Sequence, residues 1–348
     1  MKKKIILSII FLLLLALFIA PIIIYKQMFD KRFTTPMRDI DITKISSIKR
    51  EKYEFNSNND QTLIGYHYYL NKKPKGIIIF SHGLGGGHRS NLPIINYFVK
   101  NNYSVFAYDA TACDESEGKV FGGINQAVID LEYAINFVEN EDDFKEIPIL
   151  LMGHSMGGYA AMSVLNKKPE IKGVVSVSGF NKLTDMIQSA VEEEFGSFGK
   201  VMLPPIMLYE RLKFKEYAQF TGEKGILNSD AKLFIIHSED DEVVNKKYSY
   251  DVYYNLYENK YKNTDKIKFK LYKEKGHNYI FYKQDKLEEI LEFYRNEFKQ
   301  FNESDEKMKE KQVKDEEDLS KSVWLNGIDT KMLDEILQFY DGVLGVKK

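Results

Sequence analysis

The chain has 348 residues, of which 44% are hydrophobic and 29% charged, a globular composition with enough length for one large core and one to three domains. A net charge of −2 supplies no basic field of the kind nucleic acid requires. The single cysteine, Cys113, excludes an internal disulfide framework, and no C-x-x-C or H-E-x-x-H spacing marks a zinc site.

The N-terminus reads MKKKIILSIIFLLLLALFIAPIIIYKQ, three lysines followed by an uncharged run from Ile5 to Tyr25. As a helix that run is about 30 Å long, the thickness of a bilayer's hydrocarbon core. Residues 1–30 are therefore expected to be an uncleaved membrane anchor. A cleaved signal peptide is the competing reading, but the best cut, after Ala20, has Phe18 at the −3 position and Pro21 directly behind it. Pro21 should bend the helix near its outer end. Lys2, Lys3 and Lys4 favour a cytoplasmic N-terminus, with the rest of the chain outside the cell membrane; Lys26, Lys31 and Arg32 on the other flank weaken that inference.

From residue 53 onward strand and helix signals alternate. YEFNS and IGYHYYL open as an antiparallel pair, followed by buried-type strands at 76–83, 103–109, 147–153, 172–180, 231–239 and 265–273. Helical spacing marks 92–102, 124–140, 156–166, 245–261 and 284–300. Strands separated by helices predict an α/β fold, a mainly parallel sheet covered on both faces. Residues 181–230 are too long for a simple crossover and are read as a helical lid inserted in a domain spanning 31–301; a long crossover packed on the sheet is the alternative. In 302–348 a charged stretch, 303–322, precedes an amphipathic helix at 332–344 that is expected to pack back on the domain.

A serine hydroxyl needs a base, a group to orient the base, and donors for the oxyanion that forms. The sequence Gly153-His154-Ser155-Met156-Gly157-Gly158 places Ser155 between an apolar strand and a helix of small residues, the context a nucleophile elbow requires. Met156 offers one oxyanion N–H at the start of that helix. The glycine-rich loop in FSHGLGGGHRSN offers a second, assigned to Leu84, with His82 holding the loop by hydrogen bonding. A phosphate-binding loop would need a Lys-Ser/Thr pair that is missing. Asp241, after LFIIHSE, is the preferred orienting acid, with Asp240 as the fallback and Asp185, after the preceding strand, as a remote third option. His277, behind Gly276 and after the last strand, is the expected base.

The order Ser…Asp…His, the H-G-x-G-G loop and the helical insertion resemble the α/β-hydrolase superfamily, and more narrowly its lysophospholipase, monoacylglycerol lipase and serine aminopeptidase (S33)-like group. The resemblance covers roughly residues 53–300. It implies Ser155, Asp241 and His277 as a triad and Leu84 and Met156 as oxyanion donors, with no metal or organic cofactor. One departure concerns the loop after Asp109, which reads YDATACDESEG where the group often has Y-D-x-R-G-x-G-x-S.

The lid should roof the site with Phe195, Phe198, Met202, Leu203, Met207 and Leu208, which suits a hydrophobic acyl group. With an anchor through residues 5–25, these features favour hydrolysis of carboxylic esters, including lipid esters. A thioesterase or an aminopeptidase could use the same triad. The latter needs an acid for the substrate ammonium, with Glu192, Glu193 and Glu194 as candidates against a solvated helix face. A membrane-anchored binding protein without activity is the rival from another class, and the complete set of reacting groups argues against it.

Overall fold

Short β-branched and aliphatic runs, each ended by glycine, serine or a polar turn, produce eight strands in the computed structural model, which describes residues 2–37, 40–71, 73–188, 196–302 and 319–346. They are β1 (Lys49–Asn56), β2 (Thr62–Tyr69), β3 (Ile77–Ser81), β4 (Ser104–Tyr108), β5 (Ile149–His154), β6 (Gly173–Val177), β7 (Lys232–Ser238) and β8 (Ile267–Tyr272). All eight overlap the strands the sequence predicts, with β1 beginning four residues before the YEFNS run. They form one sheet in the order β1-β2-β4-β3-β5-β6-β7-β8. The pairings β1–β2 and β2–β4 are antiparallel and the others parallel.

Strands β3, β4 and β6 are buried along their whole length, because helices cover both faces of the sheet. Alternate side chains therefore enter two different cores. Ile77, Ile79, Phe106 and Leu151 belong to one, and Ile78, Phe80, Val105 and Leu150 to the other. The C-terminal helix Thr330–Leu344 lies over the second core, where Met332, Leu333, Ile336 and Tyr340 are buried. Its Tyr340 hydroxyl donates to the Leu151 carbonyl at 2.8 Å, and Asp341 accepts from Lys75 and Tyr103 at 2.9 and 2.7 Å. Most of the charged stretch before it, residues 303–318, lies outside the described residues.

The N-terminal helix α1 (Lys2–Phe29) carries Pro21. It is long and apolar enough to cross a membrane: Lys3–Phe29 has a mean hydropathy of 3.1 over its most apolar window, and only 6% of that window is buried. Its last turns behave differently. Pro21, Tyr25 and Phe29 recur every fourth residue and are buried, so that one stripe of the helix end docks on the domain. The docking partner is the helix Leu203–Phe214 from the insertion. There the Tyr25 hydroxyl donates to Glu210, which is fully buried, and Asn125 donates to the other carboxylate oxygen at 2.6 Å. Tyr159, on the helix that follows Ser155, donates in turn to Asn125 at 2.7 Å.

Burial pushes the Glu210 carboxyl up to about 7, against the donors from Tyr25 and Asn125 that pull it down. A raised carboxyl favours the folded state fully below its unfolded value of about 4.5, and that contribution is lost as the pH rises through about 7. Full-length protein should therefore lose stability between pH 5 and 8, by up to roughly 3 kcal/mol from this group. Glu210→Gln should flatten that dependence in urea unfolding followed at both pH values. Tyr25→Phe, which removes one of the two donors, should cost about 1–3 kcal/mol at pH 7.

Candidate active site

Strand β5 ends at His154 and a helix begins at Met156, so Ser155 is the only residue in the turn between them. It holds φ 54 and ψ −119, a left-handed conformation that costs a side-chain-bearing residue about 1–3 kcal/mol. The turn is this tight because the helix is packed directly on the sheet. A Cβ on Gly153 would run into the Gly157 carbonyl, and one on Gly157 into the Ser81 carbonyl of β3. Gly157→Ala should accordingly destabilise the protein by at least about 3 kcal/mol, or prevent folding, as read by thermal unfolding and soluble yield.

The Ser155 hydroxyl lies 2.8 Å from His277 Nε2, and His277 Nδ1 lies 2.9 and 2.8 Å from the two carboxylate oxygens of Asp241. The carboxylate can only accept, so Nδ1 carries the proton and Nε2 presents its lone pair to the serine. Asp241 also accepts from the backbone N–H groups of Val243 and Val244 at 3.0 and 2.7 Å. Burial alone would raise its carboxyl; the hydrogen bond and charge of His277, with the Val244 N–H, hold it below the usual carboxylate range.

Two further residues fix the histidine loop. Asp240 accepts from the N–H groups of Lys275 and Gly276 at 3.1 and 2.9 Å, in the turn where Gly276 has φ 58. His154 Nε2 donates to the His277 carbonyl at 3.0 Å. Burial drives His154 down to about 3, so it remains a neutral clamp at any working pH. The motif reading assigns His154 only to the elbow; its link to residue 277 has no signal in the sequence.

A cavity of about 440 Å³ opens over Ser155 and His277. Leu84 and Met156, the two expected oxyanion positions, both line it, as do Ile124, Phe180, Met186 and Val244. His82 sits behind the glycine loop, with Nδ1 against the Gly83 carbonyl at 2.8 Å and Nε2 accepting from the Ala110 N–H at 3.0 Å. It holds the loop, as expected, and takes no part in the Ser155 cluster.

The family model of serine aminopeptidase S33 matches residues 72–218. Monoglyceride lipase of Rattus norvegicus is 28% identical over 161 residues, 45% of this chain and 52% of the lipase, so the match spans about half of that relative's length. The uncharacterised protein YfhR of Escherichia coli K12 is 24% identical over 214 residues, 58% of this chain and 67% of YfhR. Among solved structures, the Pyrococcus furiosus esterase Pf2001 superposes with a TM-score of 0.56 at 18% identity, over 78% of this chain and 96% of the esterase. The chain belongs to the α/β-hydrolase superfamily.

In this α/β-hydrolase the departing loop after Asp109 has a different support. Asp109 accepts from His88 through both its backbone N–H and Nδ1, each at 2.8 Å, which ties the loop to the glycine-rich segment. Arg32, just beyond α1, donates to the carbonyls of Gly118, Asp114 and Ser116 at 2.6, 2.9 and 2.9 Å. An arginine from outside the loop thus takes up its carbonyls.

The expected roof is placed differently. Met202, Leu203 and Met207 are partly buried against the core, and Leu208 is 46% exposed; none of the four lines the cavity. The helix Leu203–Phe214 packs against the end of α1. Phe195 lies outside the described residues, as do Glu192, Glu193 and Glu194, and of Phe198 only the backbone is described. The cavity's apolar wall is supplied instead by Phe180, just before the insertion, by Met186 near its start, and by Val243 and Val244 behind Asp241.

Proposed function

We propose that this α/β-hydrolase is a serine hydrolase of carboxylic esters, held at a membrane by its N-terminal helix. The observation that carries the reading is the unbroken run of short contacts from Ser155 through His277 to Asp241, at 2.8 Å on both sides of the imidazole. Neutral His277 takes the proton as Ser155 Oγ attacks the carbonyl, and Asp241 stabilises the imidazolium that forms. The oxyanion is held by the N–H groups of Leu84 and Met156, each worth about 3–4 kcal/mol in the transition state. His277 then protonates the leaving alkoxide. A water activated by the same nitrogen cleaves the acyl-serine and frees the carboxylic acid.

The wall chemistry favours an ester over a peptide with a free amino terminus. Among the described residues that line the cavity none is Asp or Glu, so no carboxylate there meets a substrate ammonium. An apolar wall suits a hydrophobic acyl or alcohol group. The monoglyceride lipase and esterase among its relatives point the same way. The uncharged run in α1 and the three lysines before it support a single-pass anchor with the hydrolase outside the cytoplasm.

The test is labelling of detergent-solubilised full-length protein by a fluorophosphonate probe, with Ser155→Ala and His277→Ala in parallel. The expected result is label on the wild type alone, followed by turnover of p-nitrophenyl esters and none of aminoacyl anilides. A folded wild type that takes no label would point to a binding protein; anilide turnover would point to an aminopeptidase.

A further inference from the structure

The chain between α1 and β1 lies outside the segment matched by the S33 family model, and the sequence carries no motif there. In the structure it is not a spacer. Phe33 pairs with Cys113 in an isolated parallel bridge, donating to the Ala112 carbonyl and accepting from the Asp114 N–H at 2.9 and 3.0 Å. Thr35 is then caught by the Asp114 carboxylate, its N–H on one oxygen at 2.7 Å and its hydroxyl on the other at 2.6 Å. Arg89, beside the glycine loop, pairs with the same carboxylate at 2.9 Å, and the Asp114 side chain is wholly buried. Thr35, Pro36 and Met37 emerge as lining residues of the cavity over Ser155, beside Leu84 and Gly85.

From this geometry we infer that the strap formed by residues 32–37 is a wall of the substrate cavity, that Met37 limits the length of the substrate chain lodged past the oxyanion loop, and that Asp114 is the positioning residue that fixes the strap. The inference rests on the proposed ester hydrolysis at Ser155. Burial raises the Asp114 carboxyl, but the two hydrogen bonds from Thr35 and the Arg89 guanidinium outweigh it and hold it low, so the clamp stays ionised at neutral pH. Thr35 stands only six positions beyond Phe29, the last residue of α1. Even fully extended they span about 20 Å. The wall therefore stands close to the point where the chain leaves the helix, and a substrate lodged against it is close to the membrane surface that the helix defines. Met37 is 2% exposed and packs in the core on its other side, which makes the wall stiff.

The experiment measures kcat/KM of full-length protein in detergent on two ester series. One lengthens the acyl chain of p-nitrophenyl esters from acetate upward, and the other lengthens the alcohol of alkyl acetates. Met37→Trp should cut kcat/KM for the longest ester that the wild type accepts by about tenfold or more in one series. The loss should grow with chain length, so that acetate is affected least. Met37→Ala should shift the optimum of the same series to a longer chain. Asp114→Ala should raise KM for long esters severalfold with kcat on p-nitrophenyl acetate retained, and Asp114→Asn, which keeps an acceptor for Thr35, should restore part of the difference. A length profile unchanged in both series, or a fall of equal size on every ester including acetate, would overturn the assignment. If the wild type takes no probe and hydrolyses no ester, the serine-hydrolase reading itself falls, an outcome distinct from an unchanged profile on an active enzyme.

Discussion

Ser155→Ala should remove fluorophosphonate labelling and lower kcat on the best p-nitrophenyl ester by about 10⁵–10⁶-fold, with the fold intact. The size follows from the proposed mechanism: without Oγ there would be no acyl-enzyme, and only binding and the oxyanion donors would remain to assist water. Stability should move in the opposite direction. Ser155 holds φ 54 with a Cβ attached, a conformation imposed by the short turn between β5 and the next helix. Ser155→Gly removes that strain at the cost of a more flexible unfolded chain, so a net gain of about 1 kcal/mol in urea unfolding is expected. A variant that is both inactive and more stable is the signature of a residue kept for chemistry. Activity or label surviving in Ser155→Ala would place the nucleophile elsewhere.

What made this site legible in the sequence is local. Ser155 stands in a five-residue frame whose glycines are required by backbone approach, and the flanking apolar strand and small-residue helix are readable over a dozen residues. The strands were equally accessible, because burial on both faces writes itself as continuous Ile, Val, Leu and Phe runs. The strap could not be read in the same way. Thr35 acquires its role from Asp114, 79 residues away, and from nothing in its own neighbourhood. Glu210 is a similar case. In LYERL it reads as a polar helix position, yet it is buried beneath Tyr25, 185 residues distant. The insertion is less legible for a related reason. Apolar residues at 202–208 say that a helix has a face to bury, and leave open whether the cavity or the end of another helix receives it.

Two adjacent aspartates follow β7, and sequence alone leaves a choice between them that the geometry turns into unequal predictions. Asp241→Asn should lower kcat about 10⁴-fold, equivalent to about 5 kcal/mol of transition-state stabilisation. The backbone donors from Val243 and Val244 would hold the amide oxygen, leaving its NH₂ to face His277 Nδ1. That nitrogen must then accept, which moves the imidazole proton to Nε2 and points it at the serine whose proton it should take. Asp240→Asn disturbs a different set of bonds. Its carboxylate receives Ser238 Oγ and the N–H groups of Lys275 and Gly276, all of which an asparagine oxygen can still accept. The loss there should stay within about tenfold and show as a looser His277 loop. Because Asp241 is held below the usual carboxylate range, its contribution is present at neutral pH and is lost only as the pH falls through that depressed value. The pair of variants, assayed at pH 7 on one ester, therefore separates the two residues: comparable losses would mean that the loop, and not the tautomer of His277, is what Asp241 supports.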